Sequence, residues 1–292
     1  MSASLRETCA AAQNQLINSL GLEASDARLE AQLLLQTVAH KNRAWLIAHE
    51  AEALTDSIAQ AFEALLTRRL QGEPIAYILG VREFYGLNLM VNQDTLIPRP
   101  DTETLVDAAL AKIPSHVAAS ILDLGTGSGA IALALAKHRP QANVIAADAS
   151  LAALKMAEKN AQALAIHNVT FILSDWFSQI PHQQFDLIVS NPPYIENNDI
   201  HLSLGDLRFE PLSALASGLD GLDDIRRIVE HSLLYLKPQG WLMLEHGYNQ
   251  AMLVANLMAE TGLIDVVTLQ DLGGNDRVTL AKNPLIVSKH WD

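Results

Sequence analysis

The tetrapeptide Asn191-Pro192-Pro193-Tyr194 closes an apolar run, Phe185-Asp186-Leu187-Ile188-Val189-Ser190. Such a run reads as a central strand covered on both faces. Pro192 and Pro193 end the ladder because neither has an N–H to donate. They also fix φ, so the carbonyls of Asn191 and Pro192 point in set directions. The product is a rigid group of acceptors, the Asn191 amide oxygen and nearby carbonyls, beside the aromatic face of Tyr194. A group of this kind holds an NH2 by accepting both its protons. A Pro-Pro turn alone is only a stop signal. Its position at the C-terminal end of a strand is what points to a ligand, because open α/β sheets bind their ligands there.

Three other strand ends carry chemistry of the same kind. Gly125-Thr126-Gly127-Ser128-Gly129 lies between the strand Ser120–Leu124 and a helix from Ala130. Glycines there let the backbone turn sharply and approach a ligand, although dinucleotide enzymes share that loop. Asp148 ends the next strand, 19 residues beyond Gly129, where an acid accepts from ribose hydroxyls. Asp175-Trp176 follows the third strand. Asp175 suits an adenine amino group, and Trp176 suits the flat face of the ring. Taken singly, Asp148 reads as a helix cap and Trp176 as core; four such ends on one crevice read as a nucleoside site. Asp123, two residues before the first glycine, repels a pyrophosphate and attracts a cation. That favours a sulfonium methyl donor over a nicotinamide dinucleotide.

The elements that position these residues alternate from residue 119 onward. Strands are expected at 120–124, 144–148, 169–173, 185–190 and 241–245, with helices at 130–138, 149–163, 223–235 and 250–261 between them. Two last strands, 264–269 and 278–281, flank Gly273-Gly274-Asn275-Asp276 as a hairpin. Seven strands with helical crossovers give an α/β fold, a doubly wound sheet with a terminal antiparallel hairpin. Residues 1–74 instead read as a small helical domain. Leu5, Cys9, Gln13, Leu16 and Leu20 mark one stripe; Leu29, Leu33, Leu34 and Val38 mark a second; Thr55 caps a third helix carrying Ile58, Phe62, Leu65, Leu66 and Leu70. Residues 75–97 read as a linking ribbon or hairpin around Gly86, and 98–292 as the catalytic domain. Pro98 and Pro100 stiffen the chain around Arg99 ahead of a helix starting near Asp101.

The 292 residues are 49% hydrophobic and carry a formal net charge of −13. That balance argues against a general nucleic-acid binder, which needs a basic footprint. A single cysteine, Cys9, and ten histidines with no i, i+4 pair offer no metal-ligand pattern. No apolar run reaches membrane-spanning length, and the first residues do not read as a secretory signal. A cytoplasmic enzyme is expected.

These motifs together resemble a known family. Asp123 to Gly129 is similar to the first motif of class I S-adenosylmethionine-dependent methyltransferases, and Asn191 to Tyr194 to the fourth motif of those that methylate amino groups. Ile97-Pro98-Arg99-Pro100-Asp101-Thr102-Glu103, Arg208-Phe209-Glu210-Pro211, Leu236 to Gly240 and Asp271 to Arg277 narrow the resemblance to the bacterial peptide chain release factor glutamine N5-methyltransferases. Asp101 and His246 depart from that family's usual residues. The resemblance covers essentially the whole chain. It implies a methyltransferase sheet, S-adenosylmethionine as donor, no metal, and class 1 release factors as partner. It implies that the glutamine of their Gly-Gly-Gln loop is the methyl acceptor. By the same resemblance Gly125, Thr126, Gly127, Ser128, Gly129, Asp148, Trp176 and Asn191 bind the donor. Asn191, Pro192, Pro193 and Tyr194 take the glutamine amide, with Asn191, Pro192 and Tyr194 as the catalytic group. An adenine-N6 or guanine-N2 nucleic-acid methyltransferase, which uses a similar tetrapeptide, is the alternative. A non-catalytic binding module on the same fold and an NAD oxidoreductase fit less well, given the glycine loop with Asn191 and the Asp123 carboxylate respectively.

Overall fold

The computed structural model describes residues 3–285; the outer ends of the expected domains, 1–2 and 286–292, lie outside the described residues. The chain divides into two compact units, Met1–Gly80 and Val81–Asp292.

The first unit is helical: α1 Leu5–Leu20, α2 Ala24–Ala39, α3 Arg43–Ala48, α4 Asp56–Leu70 and α5 Ile75–Leu79. Ser4 and Glu7 form a capping box at α1, and Thr55 caps α4 as its hydroxyl accepts from Ile58 N–H. Leu16, Leu34, Leu35, Phe62 and Leu66 meet in its core. The Arg69 guanidinium is buried there and held by Glu30 at 2.7 Å. Two elements differ from expectation. The short α3 begins at Asn42, whose side chain caps it. Ile75–Leu79 is a helical turn rather than part of a ribbon, because Gly80 at φ +71° ends it with a left-handed cap.

The second unit opens with a hairpin, β1 Val81–Phe84 and β2 Leu87–Met90, turning at Tyr85-Gly86. A 3-10 turn at Pro100–Thr102 leads into α6 Glu103–Lys112. Then come β3 Ser120–Leu124, α7 Ala130–His138, β4 Asn143–Asp148, α8 Leu151–Ala163, β5 Val169–Leu173, β6 Phe185–Ser190, α9 Asp223–Tyr235, β7 Leu236–Glu245, α10 Ala251–Glu260, β8 Ile264–Gln270 and β9 Asp276–Lys282. Seven strands form one sheet in the order β5-β4-β3-β6-β7-β9-β8. All neighbours are parallel except β9, which runs antiparallel to β7 and β8. The doubly wound sheet and its terminal hairpin are therefore as the sequence indicates.

Both faces of the sheet are covered. Ile121, Leu187 and Val189 face α6 and α7, while Leu122, Leu124 and Ile188 face α9 and α10. This alternation explains why β3 and β6 read as nearly continuous apolar runs. Asp186 is the polar interruption in β6. It sits at the strand's lower end, accepting from Ser120 N–H at 2.7 Å and from Lys237 at 2.8 Å.

Asn160 on α8 joins the hairpin to the glycine loop. It accepts from Met90 N–H at 2.7 Å and donates to the carbonyls of Met90 and Ser128 at 3.0 and 2.9 Å. It is fully buried. Asn160→Ala leaves these groups without partners, an expected cost of about 1–3 kcal/mol. The urea midpoint is expected to fall while the m-value holds.

Candidate active site

β3 and β6 are sequence-distant neighbours, and the order of the sheet reverses between them. That switch point opens a crevice beyond their C-terminal ends. Leu124 lies opposite Ser190 in the ladder, and the Ser190 hydroxyl donates to the Leu124 carbonyl at 2.6 Å. The glycine loop and Asn191 consequently leave the sheet side by side.

A cavity of about 660 Å³ occupies this crevice. Gly125, Gly127, Asp148, Asp175, Trp176, Asn191 and Pro193 all line it. Asp148 accepts from Gly127 N–H and Ser150 N–H, both at 2.8 Å. Burial raises its pKa, and those N–H donors oppose the rise. Trp176 has φ +49° and donates through Nε1 to Asp224 at 3.0 Å, which fixes its ring against Gly125. Asp175 is ion-paired with Arg227 at 2.9 Å at the exposed rim. Among the described residues four carboxylates line the cavity, those of Asp94, Asp148, Asp175 and Asp224, and no Lys, Arg or His side chain does. Among the described residues no group of three His, Cys, Asp or Glu side chains could hold a metal ion.

Three loop residues do not line the cavity. Thr126 turns inward and donates to Asp123 Oδ2 at 2.6 Å. Ser128 is buried, its carbonyl taken by Asn160. Gly129, at φ +85°, starts α7, and a Cβ there would meet Leu133 and Ala157 at 3.0 and 3.1 Å. Asp123 itself is 0% exposed; its Oδ2 also accepts from Ala132 N–H, and its Oδ1 has no hydrogen-bond partner among the described residues. Burial pushes its pKa up to about 7.

A second, smaller hollow of about 70 Å³ adjoins the first; Asn191 lines both, whereas Pro192, Tyr194 and Arg99 line the smaller one. Asn191 Nδ2 donates to Thr102 Oγ1 at 3.2 Å, and this orientation leaves Oδ1 for other partners. The Tyr194 hydroxyl donates to Glu245 at 3.2 Å, and burial pushes its pKa upward. The segment after Tyr194 is tied back by Gln250, whose side chain donates to the Tyr194 carbonyl at 3.0 Å. Gly221 (φ +73°) presses on the same carbonyl, where a Cβ would stand 2.2 Å away. Arg99 pairs with buried Glu210, which also accepts from Ile97 N–H at 3.0 Å. This explains why prolines bracket Arg99.

Glu245, Asp224 and Gln93 to Leu96 also border the site but carry no site signal in the sequence, Glu245 reading as the polar end of a strand. Thr102, within the Ile97–Glu103 motif, and Glu210, within the Arg208–Pro211 motif, carried a hint.

The methyltransferase small domain family model matches residues 102–210, and the PrmC N-terminal domain model matches residues 12–80. The chain is 50% identical to the release factor glutamine methyltransferase of Escherichia coli K12 over 89% of this chain and 94% of that protein. It is 47% identical to that of Vibrio cholerae over 97% and 98% of the two chains. The chain belongs to the release factor glutamine methyltransferases. A methyltransferase structure from Pyrococcus furiosus shares the fold at 16% identity and a TM-score of 0.53, covering 75% of this chain and 98% of that one. Among the described residues of this family member no helix is long and apolar enough to cross a membrane.

The buried Asp123 carboxyl has a stability consequence of definite sign. Its pKa is raised from 3.8 to about 7 in the fold. Below pH ~4 it is neutral folded or unfolded. Between about 4 and 7 the unfolded chain ionises first, so its contribution to stability is lost as pH rises, and above about 7 the loss is complete. Asp123→Asn is expected to lessen the drop in urea midpoint between pH 5 and pH 8 relative to the wild type.

Proposed function

We propose that this chain methylates the side-chain amide nitrogen (N5) of the glutamine in the Gly-Gly-Gln motif of class 1 peptide chain release factors, with S-adenosylmethionine as donor. The activity named for its relatives supports this reading. The observation that carries it is Asn191, whose amide lies between the large acidic cavity and the small hollow.

The residues of the large cavity suit a cationic nucleoside without phosphates. Four carboxylates line the cavity against one neighbouring guanidinium, that of Arg227 at the rim, and this excess of negative charge disfavours a phosphate. Asp148 and Gly127 take the ribose side, Asp175 and Trp176 the base, and Gly125 permits close backbone approach. Bound there, S-adenosylmethionine supplies an electrophilic methyl group on a sulfonium.

An amide nitrogen is a weak nucleophile because its lone pair is shared with the carbonyl. Asn191 Oδ1 and the Pro192 carbonyl accept its two N–H bonds. That orients the nitrogen toward the large cavity and stabilises the positive charge that grows on it. Pro193 holds these acceptors rigid, and Tyr194 walls the amide plane. In-line positioning of this kind is worth about 7–11 kcal/mol of barrier. The nucleic-acid alternative is disfavoured by the formal net charge of −13, since a phosphate-rich substrate needs basic contacts.

The helical unit, expected at 1–74 and ending at Gly80 in the structure, serves as the recognition domain for the release factor. The acceptor places the enzyme in the cytoplasm.

Incubation with labelled S-adenosylmethionine, an unmodified release factor, and total RNA and DNA is expected to label only the release factor, at the Gly-Gly-Gln glutamine. Label on nucleic acid alone refutes the reading. Asn191→Ala is expected to lower kcat by about 10²–10³ with donor binding, measured by calorimetry, retained. Removal of residues 1–72 is expected to raise KM for the release factor while sparing donor affinity; equal loss of both overturns the recognition role.

A further inference from the structure

Among the described residues that line the small hollow beside Asn191, one has a charged side chain, Arg99. Leu96, Ile195, Leu207 and Leu215 make much of the remaining wall apolar. The guanidinium is anchored. It pairs with Glu210, whose side chain is 0% exposed. Glu210 Oε1 accepts from Arg99 and Oε2 from Ile97 N–H, so both carboxylate oxygens are taken. Pro98 and Pro100 fix φ on either side of Arg99. The sequence singles this residue out, and the chemistry above leaves it without a part.

A guanidinium carries five N–H donors in a rigid fork. Arg99 gives one, from Nη2, to Glu210, and the others have no hydrogen-bond partner among the described residues. Its side chain remains 33% exposed, and none of the unpartnered nitrogens is buried. A fixed cation with accessible N–H groups therefore borders the hollow.

A primary amide has two N–H donors and one carbonyl acceptor. In the function proposed above, Asn191 Oδ1 and the Pro192 carbonyl meet the two N–H bonds, and the amide oxygen has no donor. Taking that oxygen out of water without a hydrogen bond costs free energy. We propose that Arg99 is the specificity-determining residue of this hollow, donating to the carbonyl oxygen of the acceptor glutamine. The proposal deepens that function and rests on it. Two acceptors alone would take an ammonium group as readily as an amide. A guanidinium beside them repels the ammonium and attracts the amide oxygen, so a lysine side chain is refused where glutamine is held. The same positive charge works against the charge that grows on the nitrogen during transfer. The gain from Arg99 is thus in binding rather than in the transfer step.

The test uses the full chain, labelled S-adenosylmethionine and an unmodified release factor, and compares Arg99→Met and Arg99→Lys with the wild type, with thermal unfolding as a check of folding. Arg99→Met is expected to raise KM for the release factor by about ten- to hundredfold, the range for a hydrogen bond to a charged group, with kcat and donor Kd near the wild-type values. Arg99→Lys keeps the pair with Glu210 but loses the planar fork, and its KM is expected to lie between those of the wild type and Arg99→Met. A release factor with lysine in place of the acceptor glutamine serves as competitor. The ratio of its Ki to the KM of the glutamine form is expected to fall in Arg99→Met, whereas loosening of the fold would weaken both alike. An unchanged KM in Arg99→Met, or in Arg99→Lys if Arg99→Met does not fold, overturns the inference and leaves the proposed function standing. An unchanged ratio, or a loss of donor affinity as large as the loss for the release factor, does the same. A wild type that leaves the release factor unlabelled removes the function and this inference together.

Discussion

The pairing of β3 with β6 is the constraint on which the site depends. Their parallel register sets Leu124 opposite Ser190, and the Ser190 hydroxyl closes the pair on the Leu124 carbonyl at 2.6 Å. A parallel neighbour fixes where both strands end. Here it places a glycine loop and a proline-locked amide at the same height beyond the sheet. A slip of one residue would send each β6 side chain to the opposite core, Leu187 and Val189 exchanging sides with Phe185 and Ile188.

The large cavity is lined by carboxylates, and two more, Asp123 and Glu245, are fully buried behind it. Each has one oxygen without a partner among the described residues and a pKa pushed up to about 7. Burying such groups costs stability unless something compensates. Their location at the ends of β3 and β7, next to the cavity and the Asn191 loop, is consistent with strain being held where function needs it.

The polar loop itself is held from several sides. Gln250 and Gly221 grip the Tyr194 carbonyl. Ser217 accepts from Asp224 N–H at 2.8 Å and donates to the Asp224 carboxylate at 2.7 Å, and Asp224 holds Trp176. The long connection after β6 therefore braces both the aromatic wall of the large cavity and the carbonyls of the small hollow. It lacks regular structure apart from short 3-10 turns. Backbone hydrogen bonds within it, such as Ile195 N–H to Leu215 and Ser217 N–H to Ile195, hold its two arms together.

The sequence by itself determined the strands, the crossover pattern, the four strand ends and the acidic character of the glycine loop. These are local: apolar period, proline and glycine placement and residue chemistry report on the nearest few residues. It did not determine the strand order, the inward turn of Thr126 onto Asp123, or the buried place of Ser128. Nor did it reveal that Glu245 and Asp224 border the site, or that Arg99 pairs with Glu210. Those depend on partners tens of residues away, as with Asn191 and Thr102, 89 positions apart, and Trp176 and Asp224, 48 apart. A side chain's partner over such distances is chosen by how the sheet closes and what burial leaves within reach, so only the tertiary structure could decide it.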